Sequence, residues 1–461
     1  MIDDTAADTA ANLSELVTTI AAAITDRSAR GIAAAVGRLV TDGRLEVGTR
    51  LPTVRDLALH LGVSPTTISE AWQSLASVGA IDARGRQGTF VRRPTGPSSP
   101  RRYRRITEGP GHFALDLSTG TPDPALLPDL RPAIAKVSTQ SLTSSYLDDP
   151  VLPSLETRLR ADWPFAPEAL TVVDGAMDAL DRVASVVVRL GDRVVVENPG
   201  FPPLLDLLDL LGADVIGVPV DHEGMDPAAL ADAVALGVSA VFLQPRAQNP
   251  TGVTLTKGRA AELASVLQGC DAVIVEDDHS GDIASGALHS LGAHLPQRVV
   301  HIRSYSKSHG PDLRLAAVGG AGAVVSGVSN RRLMGPGWSS RILQAVLLEM
   351  LDHQPTVEAV AEARTEYAKR RRAVADSLTA HGVHVTGTDG INLWMEVADE
   401  RTALITLAAQ GIGAAPGAPF MVQPGQPCLR VTVGLIDHDL DEVARRLADA
   451  AGANPGSARL R

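Results

Sequence analysis

Lysine is scarce in this sequence. Only Lys136, Lys257, Lys307 and Lys369 occur, and arginine supplies almost every other cation. Cysteine is rarer still: Cys270 and Cys428 lie far apart and lack metal-ligand spacing. That excludes a disulfide framework and a zinc site, and fits a reducing cytoplasm. No basic segment followed by an apolar core opens the chain, so no signal peptide is expected. Apolar runs such as 315–328 fall short of the ~20 residues that a membrane span needs. Hydrophobic residues make up 44% and charged residues 21%, which excludes a disordered chain and places it among globular proteins. With 461 residues it has room for two or three full-sized cores.

The net charge of −11 disfavours nucleic acid until its distribution is read. Residues 30–105 hold 13 arginines against five acids, a surplus of +8, so the remainder carries −19. A basic module is joined to an acidic one.

Behind a polar tail over 1–14, "RGIAAAVGRLVTDGRL" sets Ile32, Val36, Leu39 and Val40 at helical spacing. "LPTVRDLALHLG" predicts a second helix, with Pro52 in its first turn, Leu57, Leu59 and Leu61 available for a core, and Gly62 as its stop. "VSPTTISEAWQSLASVG" predicts a third. Ser64 is its cap, Pro65 its first-turn residue, Ile68, Trp72 and Leu75 its apolar face, and Gly79 its end. The tight 62–64 turn makes the pair a helix-turn-helix. "AIDARGRQGTFVRR" then reads as a β-hairpin whose tip carries Arg84, Arg86 and Gln87. Such a wing sits on the DNA backbone while a helix N-terminus enters the major groove. The stretch from Leu51 to Val91 resembles the winged helix of GntR-type transcription regulators. That resemblance implies DNA contacts by Arg55, Ser64, Thr66, Thr67, Arg84, Arg86 and Gly88; Pro65 stands where the family commonly has arginine.

A Pro/Gly/Ser/Arg-rich stretch over 93–112 has no apolar period and predicts an exposed, semi-extended tether. It divides a DNA-binding domain over 15–92 from a larger domain over 113–455. In the larger domain short β-branched runs alternate with Ala/Leu helices, which predicts an α/β fold with a largely parallel sheet. Ligands of such sheets bind beyond the carboxyl ends of the strands. Those ends hold Gly175-Ala176-Met177, Asn198-Pro199-Gly200-Phe201, Asn249-Pro250-Thr251-Gly252, Asp277-Asp278-His279 and Ser304-Tyr305-Ser306-Lys307. The set suits a phosphorylated aromatic heterocycle. Amides opening a helix at Ala176 and Met177 suit a phosphate, and Ser304, Ser306 and Arg314 add to it. Asp277 can pair with a protonated ring nitrogen, Asn249 can donate to a ring hydroxyl, and Phe201 can lie on the ring. Arginine can hold a phosphate, but only a lysine amine, here Lys307, forms a Schiff base with an aldehyde.

"DGAMDAL", "ENPGFP", "QNPTG", "VEDDHSGD" and "SYSKSHGPDLRLA" resemble, in order, the blocks of the fold-type I aminotransferases over most of 113–450. The resemblance implies pyridoxal 5′-phosphate as cofactor and a smaller α+β subdomain beside the main sheet. It puts Lys307 on the catalytic lysine, Ser304 and Arg314 on phosphate ligands, Asp277 on the ring-nitrogen partner and Asn249 on the ring-hydroxyl partner. It puts Arg430 on the group that binds an effector or substrate carboxylate, and Tyr146 on a tyrosine that reaches a partner subunit's phosphate; Arg246 is expected to face the pocket. His279 takes the place of a family tyrosine near the ring hydroxyl, and 151–153 lack a family glycine.

A winged helix, a linker and an aminotransferase-like domain in this order resemble the MocR family of transcription regulators. The resemblance implies a cytoplasmic homodimer that binds a double-stranded operator and senses pyridoxal phosphate, an amine or an amino acid. A working aminotransferase with an accessory DNA-binding head, and an assembly module with a structural cofactor, are the competing readings.

Overall fold

The computed structural model describes residues 16–41, 44–77, 80–83, 85, 88–92, 100–107, 113–137, 145–146 and 148–453. The polar tail, Gly79, and the wing-tip residues Arg84, Arg86 and Gln87 lie outside them. The described residues form two compact units: those up to Pro100 with 188–193 and 207–214, and the remainder from Arg101.

In the first unit α1 (Ala29–Thr41), α2 (Val54–Leu61) and α3 (Pro65–Ser77) precede a hairpin of β1 (Ile81–Ala83) and β2 (Thr89–Val91). Ile32, Val36, Leu39, Leu57, Leu61, Ile68, Trp72 and Leu75 form its core, the apolar faces expected from spacing. Two expectations fail locally. Leu59 is 86% exposed, because residues two apart on a helix point away from each other. Pro52 stands outside the helix; Thr53 caps α2 by accepting from the Asp56 amide. Gly62 ends α2 in the left-handed region at φ 67°, which glycine adopts without strain. Ser64 Oγ accepts from the Thr67 amide at 3.1 Å and opens α3. The hairpin pairs antiparallel, Ile81 opposite Val91.

The second unit begins with a correction. Arg101–Thr107, inside the expected tether, is a helix, α4. Its Arg102 and Tyr103 amides donate to the Asp206 carboxylate. The Arg102 guanidinium donates to the Met421 carbonyl at 2.8 Å. Ile106 is buried with Trp394, Ala415, Phe420 and Cys428.

The main sheet comprises β3 (Ala169–Val173), β4 (Arg193–Asn198), β5 (Asp214–Asp221), β6 (Gly224–Met225), β7 (Ala240–Leu243), β8 (Val273–Asp278), β9 (Val299–Ser304) and β10 (Ala316–Gly320). Its spatial order is β3-β10-β9-β8-β7-β4-β5-β6. The β9–β8, β8–β7 and β7–β4 pairs are parallel, and β10 runs antiparallel to both β9 and β3. The carboxyl ends of β3, β4, β7, β8 and β9 therefore share one edge. Helix α5 (Ala176–Val187) follows β3 after two residues and buries Ala179, Leu180, Val183 and Ala184. A smaller antiparallel sheet follows the 27-residue helix α6 (Gln354–Ala380). It contains β11 (Val385–Thr386), β12 (Leu393–Glu396), β13 (Ala415–Pro416) and β14 (Cys428–Val431), in the order β11-β12-β14-β13. The mostly parallel sheet with a smaller α+β part is the architecture expected from the sequence.

Candidate functional site: a half-buried lysine at the strand ends

Because strand side chains alternate between faces, β8 sorts its three carboxylates. Glu276 and Asp278 share one face. There His301 Nδ1 lies 2.8 Å from Glu276, and Arg246 pairs with Asp278 at 2.6 Å. Arg246 is thus engaged by Asp278. Burial would raise the Asp278 carboxyl, but Arg246 holds it below the usual range.

Asp277 points the other way. Its Oδ2 accepts from Gln244 Nε2 at 2.7 Å, while its buried Oδ1 has no partner. Burial pushes its pKa up to about 6, against the pull of Gln244 and Lys307. Gln244 cannot flip freely, since its Oε1 accepts from the Asn249 amide at 2.7 Å. The Gln244 amide also donates to Glu197 Oε2 at 3.1 Å, and burial pushes Glu197 up to about 8. Gln244 and Glu197 were not singled out in the sequence. The available signal was a polar residue closing an apolar run, in "AVFLQ" and "RVVVE". Phe201, Asp277, Gln244 and Glu197 line one small cavity.

Lys307 Nζ lies 2.9 Å from His279 Nδ1. Burial lowers the amine to about 8; Asp277 and Asp278 oppose the shift and Arg430 adds to it. Arg430 is itself buried, which lowers it to about 10. Its guanidinium donates to Asn249 Oδ1 at 3.4 Å and to the Ser118 carbonyl, and its Nε has no partner. The Asn249 oxygen is thereby used, leaving its amide nitrogen as the donor.

At the head of α5 the first-turn amides, Ala176 and Met177 among them, have no intrahelical acceptor. Arg314 lies beside them: its Nη2 donates to the Asp174 carbonyl at 3.2 Å. A Cβ on Gly175 would sit 3.2 Å from that guanidinium, and Gly175 has φ 97°, so the cradle requires glycine. Ser304 ends β9, and its Oγ accepts from the Ser306 amide at 3.4 Å. Tyr146 is 86% exposed, its ring 5.8 Å from Trp338. In the other unit Arg55, Ser64 and Thr66 are exposed, Ser64 and Thr67 bond each other at 2.8 Å, and Gly88 has φ 109°.

An unpartnered Asp277 oxygen, a glycine-lined helix N-terminus with an arginine, and a half-buried amine of lowered pKa fit a phosphorylated pyridine aldehyde. The fold and site define a regulator of the GntR type carrying an aminotransferase domain of the pyridoxal phosphate class. Residues 114–447 match "Aminotransferase class I and II" and residues 28–91 match "Bacterial regulatory proteins, gntR family", and the chain belongs to the MocR-type regulators that combine the two. It is similar to the vitamin B6 salvage pathway transcriptional repressor PtsJ of Salmonella typhimurium. The two are 33% identical over 435 residues, covering 93% of this chain and 99% of PtsJ. It is 29% identical to the HTH-type transcriptional regulator TauR of Rhodobacter capsulatus, over 83% of this chain and 87% of TauR. Among solved structures, Pyrococcus horikoshii kynurenine aminotransferase superposes with a TM-score of 0.69 at 23% identity, covering 78% of this chain and 94% of its own. Among the described residues no helix is long and apolar enough to cross a membrane.

Proposed function

We propose that this chain is a cytoplasmic, homodimeric transcription regulator. It binds operator DNA through residues 15–92 and uses residues 113–455 to sense pyridoxal phosphate, or an amine or amino acid that reacts with it. One observation carries the reading: a half-buried lysine whose amine is lowered to about 8, near an aspartate with an unpartnered buried oxygen, on a chain with a winged helix. Bound pyridoxal phosphate supplies an aldehyde that bonds covalently to a primary amine. Lys307 offers that amine. Asp277 Oδ1 holds a proton at the ring nitrogen, and the Asn249 amide donates to the ring hydroxyl. Ala176, Met177, Ser304, Ser306 and Arg314 take the phosphate, Phe201 covers the ring, and Arg430 takes an effector carboxylate. An exposed Tyr146 suits a contact with the partner subunit. DNA contact is assigned to Arg55, Ser64, Thr66, Thr67, Arg84, Arg86 and Gly88. The similarity to PtsJ supports a link between the regulated genes and vitamin B6.

An effector acts as a switch only if it binds two states unequally. The test is binding of the full-length protein to its own upstream DNA, with visible absorbance recorded alongside. Added pyridoxal phosphate should give a visible band that is lost in Lys307→Ala, and should change operator affinity several-fold. Equal affinity with and without cofactor and amines would refute the sensor. Multiple turnover of an amino acid with a 2-oxo acid would favour a working aminotransferase instead.

A further inference from the structure

His279 stands where a tyrosine was expected near the ring hydroxyl, yet its two nitrogens are already committed. Nε2 lies 2.9 Å from the Ala247 carbonyl, and Nδ1 lies 2.9 Å from Lys307 Nζ. A carbonyl only accepts, so Nε2 carries the hydrogen and Nδ1 presents a lone pair. Assigned in this way from its partners, the ring has one tautomer available. Its polarity is opposite to that of a phenol donor.

The carbonyl that sets this tautomer is held in place at a cost. Ala247 has φ 47°, a left-handed conformation that a non-glycine residue adopts only under strain. Its amide donates to Thr254 Oγ1 at 3.0 Å, and that hydroxyl donates to Asp389 Oδ2 at 2.8 Å. Asp389 is anchored by the amides of Ser285, Gly286 and Gly390. Burial would raise the Asp389 carboxyl, but these donors keep it below the usual range. A Cβ on Gly390 would lie 2.6 Å from that of Ala247, so glycine there lets the two segments close. Every bond from Lys307 through His279, Ala247 and Thr254 to Asp389 therefore donates in one direction, ending on a carboxylate.

We propose that His279 is a positioning residue: a neutral imidazole, locked as the Nε2–H tautomer by Ala247, that accepts from the Lys307 amine and aims it into the pocket. The proposal rests on Lys307 being the reactive amine. His279 does not serve as the base that deprotonates it. Burial, and then the charge of Lys307, lower His279 to about 3, whereas Lys307 lies near 8, so the shared proton stays on lysine. The charged groups facing the pair are Asp277, Asp278, Asp389 and Arg430. A ring that only accepts at Nδ1 cannot donate to a ring oxygen, which leaves that role to Asn249.

The test uses the full-length chain before cofactor is added. Nitrogen-15 histidine spectra of the native chain and His279→Phe isolate the His279 signal. It should be neutral, protonated on Nε2 and unchanged from pH 5.5 to 8. Protonation on Nδ1, or titration in that window, would overturn the proposal. Reductive methylation of Lys307 by formaldehyde, read by peptide mass, adds a second measurement. His279→Phe should lower the plateau rate several-fold and, by removing an acceptor from the ammonium form, move the pH midpoint down rather than up. His279→Asn, whose amide oxygen replaces the Nδ1 lone pair, should recover much of that rate. An unchanged plateau in His279→Phe, or a midpoint displaced upward, would also overturn it. A visible band on adding pyridoxal phosphate to the native chain reports separately on the cofactor reading.

Discussion

The depressed Lys307 amine can be tested without any cofactor. An ordinary lysine, at 10.5, is only ~0.1% free base at pH 7.5, whereas one near 8 is about one-quarter free base. At equal access Lys307 should therefore react with a small aldehyde roughly two hundredfold faster than a solvated lysine. Access is not equal in a largely buried site, so the pH midpoint of labelling is the better measure than the rate. Two neighbours move it in opposite directions. The Asp277 carboxylate favours the ammonium form, so Asp277→Asn should lower the midpoint below 8. Arg430 disfavours the ammonium form, so Arg430→Gln should raise it. Reductive methylation of the full-length chain from pH 6 to 10, quantified on the Lys307 peptide, reads both shifts. A midpoint near 10.5 in the native chain would refute burial as the cause. Two variants that move the midpoint the same way would refute the charge arrangement.

Two further outcomes follow from other parts of the structure. Glu197 is raised from 4.5 to about 8, so its contribution to stability is full below 4.5 and is lost as pH rises towards 8. Glu197→Gln keeps an acceptor for the Gln244 amide and removes the titration. Its stability advantage over the native chain, read by urea denaturation, should widen from pH 5 to 8, by at most ~1.4 kcal/mol per pH unit; a constant offset would exclude Glu197 as the source. Ile106→Ala should remove on the order of 2 kcal/mol of packing against Trp394 and Phe420. A seven-residue helix cannot hold its shape alone. Hydrogen exchange over 101–107 should then rise sharply while exchange in the main sheet stays unchanged. Retained protection would mean that the Asp206 and Met421 bonds suffice.

Much of the architecture could be read locally. Ile68, Trp72 and Leu75 repeat at helical spacing because a short helix must bury one face, and the structure buries all three. The short β-branched runs closed by Asn198, by Asp277 and Asp278, and by Ser304 are strands that bring those residues to one edge. Lys307 and Asp277 were legible because each is an unlikely choice unless chemistry requires it. Ile106 was not legible. One apolar residue among arginines has no period, and its partners come from residues 394–428. The place of Arg246 before the Asn-Pro block did not reveal its partner, Asp278, which is 32 residues away and meets it only in the folded chain.

By itself the sequence determined two modules of opposite charge, the helices and strands within them, and an isolated lysine among residues suited to a pyridine phosphate. These depend on neighbours within a turn or a strand, where periodicity and capping act. The tertiary structure alone decided which carboxylate oxygen is left unpartnered, how far burial lowers Lys307, and which tautomer His279 holds. Those depend on desolvation and on partners tens to hundreds of residues away, such as Gln244 for Asp277 and Asp389 behind Ala247. They take effect only once the chain has closed around them.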